Sequence, residues 1–259
     1  MVADDADQFV SRFDAQPTRW SMVQKAHGQS LTGGEEARKY LVMRYSPAIR
    51  RYVRAITRDE DQADEIAQDV MVRLLQGDFA GADPQKGRFR DLLKVAIRNM
   101  TRNIWTKQKV RKTVDYDLDL NADDSENETD ILWTDEWRQQ LLELAWDQLQ
   151  EHQNSHHGSV AYTILKLRTD APDASSNELA ERLSQKIGKT VRADQARQQL
   201  RRARVRFAEY LVSEVADGIE VTSPDRIEEE LGALGLLERI RDVLSEDWAS
   251  KHQEKENNS

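Results

Sequence analysis

No cysteine occurs among the 259 residues of this chain, so disulfides, thiol nucleophiles and thiolate metal sites are excluded together, a pattern that suits a reducing compartment. Long apolar runs are missing too: none approaches the roughly 20 residues that a membrane span needs. The opening MVADDADQFV lacks the basic-then-apolar order of a signal peptide, so a cytoplasmic protein with no membrane partner is expected. Also lacking are a Gly-rich phosphate loop, a convincing metal cluster and a nucleophile beside a partner base, which leaves no catalytic residue, metal or cofactor to expect. His152 and His156 have the i, i+4 spacing of a metal pair, but with His157 they sit in a Gln-, Asn-, Ser- and Gly-rich run that reads as a solvated loop.

Charge is what the chain has in quantity. One residue in three is charged (33%) against 38% hydrophobic, a balance that suits small helical units with modest cores. The formal net charge of −9 argues against coating nucleic acid indiscriminately, so any DNA binding must be local.

That locality is visible from Gln62 to Lys112. Ile66, Val70, Met71, Leu74 and Leu75 recur at helical spacing, while Asp61, Glu65 and Asp69 fall four apart on another face, so this helix offers an acidic surface. After the glycine-broken loop 76–86, Phe89, Leu92, Leu93, Ala96, Ile97, Met100, Ile104 and Trp105 form the core stripe of a second amphipathic helix. Its other face is cationic, with only Asp91 opposing nine Lys and Arg between Arg88 and Lys112. Clustered cations of this kind suit a polyanion, because neutralising phosphates releases counterions. A solvated helix face is the plainer reading of the same charges.

The run Ala63-Asp64-Glu65-Ile66-Ala67-Gln68-Asp69-Val70-Met71-Val72-Arg73-Leu74-Leu75 resembles the A-E-D-L-V-Q-E-V-F-L-R-L-W signature of extracytoplasmic-function (ECF) sigma factors of the sigma-70 family. Gly87-Arg88-Phe89-Arg90-Asp91-Leu92-Leu93 followed by Ala96-Ile97-Arg98-Asn99 is similar to the family's G-x-F-R-x-W-L...A-R-N, with Leu92 where tryptophan is common. The resemblance implies that Asp64, Glu65, Gln68 and Asp69 bind core RNA polymerase. It implies that Arg88, Arg90, Lys94, Arg98, Asn99, Arg102, Asn103 and Lys107 meet the minus-ten promoter element, mostly at phosphates. The loop would take an extruded base, with Phe79 as a stacking surface or, equally, a core anchor.

Around this core the chain divides readily. Residues 1–17 read as a frayed tail, and a helix begins near Thr18 or Ser21. Leu41, Tyr45, Ile49, Tyr52, Val53 and Ile56 define a long helix that Pro47 should kink or divide, closing a domain over 18–112. Residues 113–130 hold eight acids and no Lys or Arg, which predicts an extended linker. A second helical domain is expected over 131–217. It contains a capping box at Ser175 and Glu178, a turn at Gly188, and a helix from about Asp194 to Val215 whose first half is crowded with arginine. Two short helices about a glycine turn, the second basic, form a helix-turn-helix or, more plainly, a solvated hairpin. Ser223-Pro224 opens one further helix in an extension over 218–259.

Ala196-Arg197-Gln198-Gln199-Leu200-Arg201-Arg202-Ala203-Arg204 resembles the V-K-S-R-L-H-R-A-R of the sigma family's C-terminal domain, although Ser184 to Gln195 is longer than the usual turn. The resemblance implies that Arg197, Gln198, Arg201 and Arg202 read the minus-thirty-five element. The expectation is an all-α sigma factor of two small helical domains joined by an acidic linker, monomeric when free. Its partners would be core polymerase, promoter DNA and an anti-sigma factor or other regulator. A dimeric helix-turn-helix repressor and a helical adaptor are the alternatives.

Overall fold

The computed structural model of the protein describes residues 34–57, 59–76, 88–111, 122–219 and 223–244, and these are helical, with no strand among them. The expected helix near Thr18 lies outside the described residues, as does the expected loop 76–86 beyond Gln76. In order the helices are α1 (Gly34–Ile56), α2 (Glu60–Gln76), α3 (Phe89–Arg111), α4 (Ala122–Ser155), α5 (Ala161–Asp170), α6 (Ser176–Ile187), α7 (Ala193–Ala216), α8 (Pro224–Ala233) and the single turn α9 (Leu237–Ile240).

The chain forms two units. The first comprises the described residues of Met1–Gln140 and Ala216–Thr222. In α1, Leu41, Tyr45, Ile49, Tyr52 and Val53 are buried at the expected helical spacing. Pro47 does not divide α1, which runs through it. Met43, four residues earlier, is 79% exposed, so water can reach the side on which the proline deprives a carbonyl of its donor. Asp59 caps α2, its carboxylate accepting from the Gln62 amide at 3.1 Å. Ala63, Ile66, Ala67, Val70 and Leu74 then face the core, and Phe89, Leu93, Ile97 and Met100 do so from α3.

The core is completed by aromatic residues from α4. Trp137 stacks on Tyr45 at 5.0 Å between ring centroids, Trp133 meets Tyr52 edge-on at 5.0 Å, and Phe89 lies 5.3 Å from Tyr45. Such pairs contribute roughly 0.5–1.5 kcal/mol each beyond the area they bury. Arg51 anchors the same helix, with Nε 2.6 Å from the Glu136 carboxylate. Two sequence expectations change here. The segment 113–130 is helical from Ala122 rather than extended, and residues 131–140 pack in the first unit rather than opening the second.

The second unit comprises the described residues of Leu141–Val215 and Ser223–Ser259. Leu141, Ala145 and Leu149 at the end of α4 are buried, and Trp146 lies 5.0 Å from Phe207 and 5.7 Å from Tyr162. Of His152, His156 and His157 only His152 is helical, since α4 continues to Ser155; it lies 3.2 Å from an Arg206 nitrogen, while His156 and His157 fall in the turn that follows, with His156 Nδ1 2.9 Å from the His152 carbonyl. Among the described residues no group of three or more potential ligands could hold a metal.

The capping box forms as the S-x-x-E spacing predicts. Ser175 Oγ accepts from the Glu178 amide at 3.3 Å and the Glu178 carboxylate accepts from the Ser175 amide at 2.7 Å. Gly188, at φ +66°, supplies the left-handed residue that ends α6. Val191 then donates to Ser184 Oγ at 2.9 Å, tying the turn back before α7 begins at Ala193.

The extension is two pieces rather than one helix. Ser223 caps α8 with Pro224 in its first turn, and at Gly235, φ +64°, the helix ends. The Leu236 amide donates to Leu231 O and the Gly235 amide to Gly232 O, both at 2.9 Å, while Leu231 and Leu236 are both fully buried. That is a Schellman closure, in which the glycine relieves the last carbonyls and reverses the chain.

Candidate functional site

Burial of one face of α2 leaves Asp61, Asp64, Glu65, Gln68 and Asp69 exposed on the other. Glu60 and Asp61 in the first turn also favour the helix by facing the positive end of its dipole. Asp64 lies 3.3 Å from Arg54, but both side chains are more than half exposed, so the pair adds little to stability. The outward face is not purely acidic. Val72 is 39% and Leu75 41% exposed, and with Glu65, Gln68 and Asp69 they continue one stripe at helical spacing. Sequence periodicity puts both Leu74 and Leu75 on the apolar stripe; the structure buries Leu74 and leaves Leu75 outside the core. An apolar strip edged by carboxylates is a surface for a protein partner with cations around a hydrophobic centre.

The residues assigned to the basic helix divide into three groups. Asn99, Arg102 and Asn103 are exposed on the outward face of α3, and Arg88 is half-buried before its first turn. Lys94 and Arg98 are turned toward α4, where both pair with Asp130 Oδ1, at 3.1 and 2.8 Å, and Arg98 also donates to Thr129 Oγ1. Arg90 is only 7% exposed, which corrects its expected place on the open surface: it follows Phe89 into the core side of the helix start. Trp105 moves the other way, being 37% exposed rather than in the core stripe. The Lys107 side chain and Phe79 lie outside what the structure describes.

Helix α7 brings the second set together. Arg197, Gln198, Arg201 and Arg202 are all exposed on its first three turns, while Ala196, Leu200 and Ala203 are buried behind them. α6, which buries Leu179, Ala180 and Leu183, is followed by the turn at Gly188 and then by α7, which presents its basic start outward. Arg192, pairing with Asp194 at 3.0 Å, lies just before it. Sequence reasoning missed that Arg197 and Arg201 also line a cavity shared with Asp242, Val243 and Leu244, since those residues are some forty positions away along the chain.

Residues 41–111, which span most of α1, α2 and α3, match the model of the Sigma-70 region 2 family. The match supports a sigma-70 family role in binding core RNA polymerase and opening promoter DNA. No curated protein and no solved structure matches the chain. Among the described residues no helix is long and apolar enough to cross a membrane.

Proposed function

We propose, from the match of residues 41–111 to Sigma-70 region 2, that the protein is a sigma factor of the extracytoplasmic-function type, acting in the cytoplasm by binding rather than by chemistry. The observation that carries this reading is the coincidence of that match with the exposed stripe of α2. Asp64, Glu65, Gln68 and Asp69 hold core polymerase, with Val72 and Leu75 as the apolar centre of the contact. Arg88, Asn99, Arg102 and Asn103 meet the minus-ten element, and Lys94 and Arg98 join them when Asp130 releases them. Loop 76–86, with Phe79, takes the extruded base. Arg197, Gln198, Arg201 and Arg202 enter the upstream groove, where arginine reads guanine edges and clamps phosphates. An anti-sigma factor or other regulator is a further partner of this reading.

Free protein should bind promoter DNA weakly, because a net charge of −9 repels the duplex and each unit offers few phosphate contacts. Polymerase makes the second contact effectively intramolecular. The test is reconstitution with core polymerase, followed by run-off transcription on a genomic library. Glu65→Lys with Asp69→Lys should abolish both co-purification with core and transcription at unchanged helicity, because solvent-facing changes usually cost under about 0.5 kcal/mol. Undiminished polymerase binding by the double variant overturns the α2 assignment. Tight, sequence-specific binding by a free dimer overturns the sigma reading as a whole.

A further inference from the structure

The face of α7 that carries Arg197, Arg201 and Arg204 borders a cavity of about 470 Å³. Arg168 at the end of α5 and Asp242, Val243 and Leu244 just beyond α9 complete its lining with Leu200 and Val205. Four arginines and one aspartate thus line it, a formal excess of three positive charges around one small space. Among the described residues, Arg197, Arg201 and Arg204 have no ion-pair partner. Arg168 is held in place: its Nη1 donates to Pro172 O at 2.9 Å and Ala174 O at 2.8 Å, while its Nε is buried with no hydrogen-bond partner. A cation fixed by two backbone carbonyls, beside three more arginines, is chemistry suited to an anion with several oxygens.

The rest of the lining says what kind of anion. Leucine and valine side chains supply an apolar wall, and the volume falls within the roughly 300–1,000 Å³ typical of small-molecule sites. Inorganic phosphate alone would leave the apolar wall without a partner. We propose that this cavity binds a small phosphorylated organic anion, and that its occupancy competes with DNA for Arg197 and Arg201. The competition rests on the upstream-groove role given to those two arginines above, whereas the binding does not. One guanidinium cannot neutralise a ligand phosphate and a DNA phosphate at once, so each partner must weaken the other by the same factor.

The probes are pyrophosphate, which offers the charge alone, and ADP, which adds an organic body. Isothermal titration into the full-length protein at physiological salt should give saturable one-site binding, with ADP the tighter despite its lower charge density. Arg204→Ala, an exposed change outside the assigned DNA contacts, should weaken both roughly tenfold or more, the usual cost of a lost charge-assisted contact. Asp242→Asn should tighten both. Absence of saturable binding, or an Arg204→Ala variant that binds as well as the parent, overturns the site.

Competition is read by fluorescence anisotropy of the holoenzyme on a promoter recovered by run-off transcription. ADP should lower promoter affinity for the parent and not for Arg204→Ala. If ADP binds yet leaves promoter affinity unchanged, the competition is overturned. The titration uses no polymerase, so a protein that binds ADP through Arg204 but never initiates with core sinks the sigma reading alone. One that initiates but is blind to ADP sinks the cavity alone.

Discussion

Glu178 shows how much a single side chain can fix. Its hydrogen bond from the Ser175 amide holds its carboxyl below the ordinary value of 4.5, with Ser175 Oγ and nearby Arg182 acting in the same direction. Because the native value is depressed, this contribution to stability is present above the unfolded carboxyl's range and is lost as pH falls through the native one. Ser175→Ala should cost about 1 kcal/mol, measured by denaturant unfolding at neutral pH. Glu178→Gln should flatten the acid limb of the melting temperature against pH, and an unchanged limb would mean the cap is idle. This cap was readable in the sequence since it needs only residues three apart. Arg90 was not, because its burial is decided by where Phe89 and the start of α3 meet the core. Leu74 and Leu75 differ by one residue and about 100° of helix rotation, a distinction that apolar counting cannot draw.

Among the elements, α4 departs most from its sequence reading. Its first residues are acidic enough to suggest a chain repelling itself, yet Lys94 and Arg98 of α3 meet Asp130 and give that charge a partner. Composition counts charges within a segment, so a partner on another helix is invisible to it. The contact also occupies two cations assigned to the minus-ten element. Asp130→Asn should therefore release both and raise the affinity of the free protein for minus-ten DNA. The dependence of log K on log salt should steepen by up to about two phosphate contacts. Anisotropy at several salt concentrations reads both effects, and an unchanged slope would show that Asp130 does not restrain the pair. Asp130 is 44% exposed, so the change should cost under about 1 kcal/mol of stability. Gly235 is the comparable case in the extension. Apolar spacing from Ile227 to Leu244 suggested one helix, but a glycine free to take φ +64° closes it early.

For the whole molecule, described residues that are helical, with an acidic face on α2, a basic face on α3 and an arginine-rich start to α7 in that order, were legible, because each rests on local periodicity. The partition was not. The first unit extends to Gln140, since Trp133 and Trp137 fill the space between Tyr45, Tyr52 and Phe89, and no spacing rule pairs aromatics some ninety residues apart.

Those two indoles lie outside residues 41–111, the segment that the family model matches. A unit of recognition is therefore shorter here than a unit of folding. Replacing either tryptophan by alanine should cost roughly 3–5 kcal/mol, and deleting both with their helix removes more than a small helical bundle can spare. A fragment of residues 34–111 should bind a hydrophobic dye and lack a cooperative melt, while one carried on to residue 140 should recover the melt; equal melts would refute the point. Any recombination that transplanted the matched segment alone would carry an aromatic socket without its plug. The residues proposed to bind polymerase and the minus-ten element can then be inherited by another chain only together with a stretch given no part in that binding.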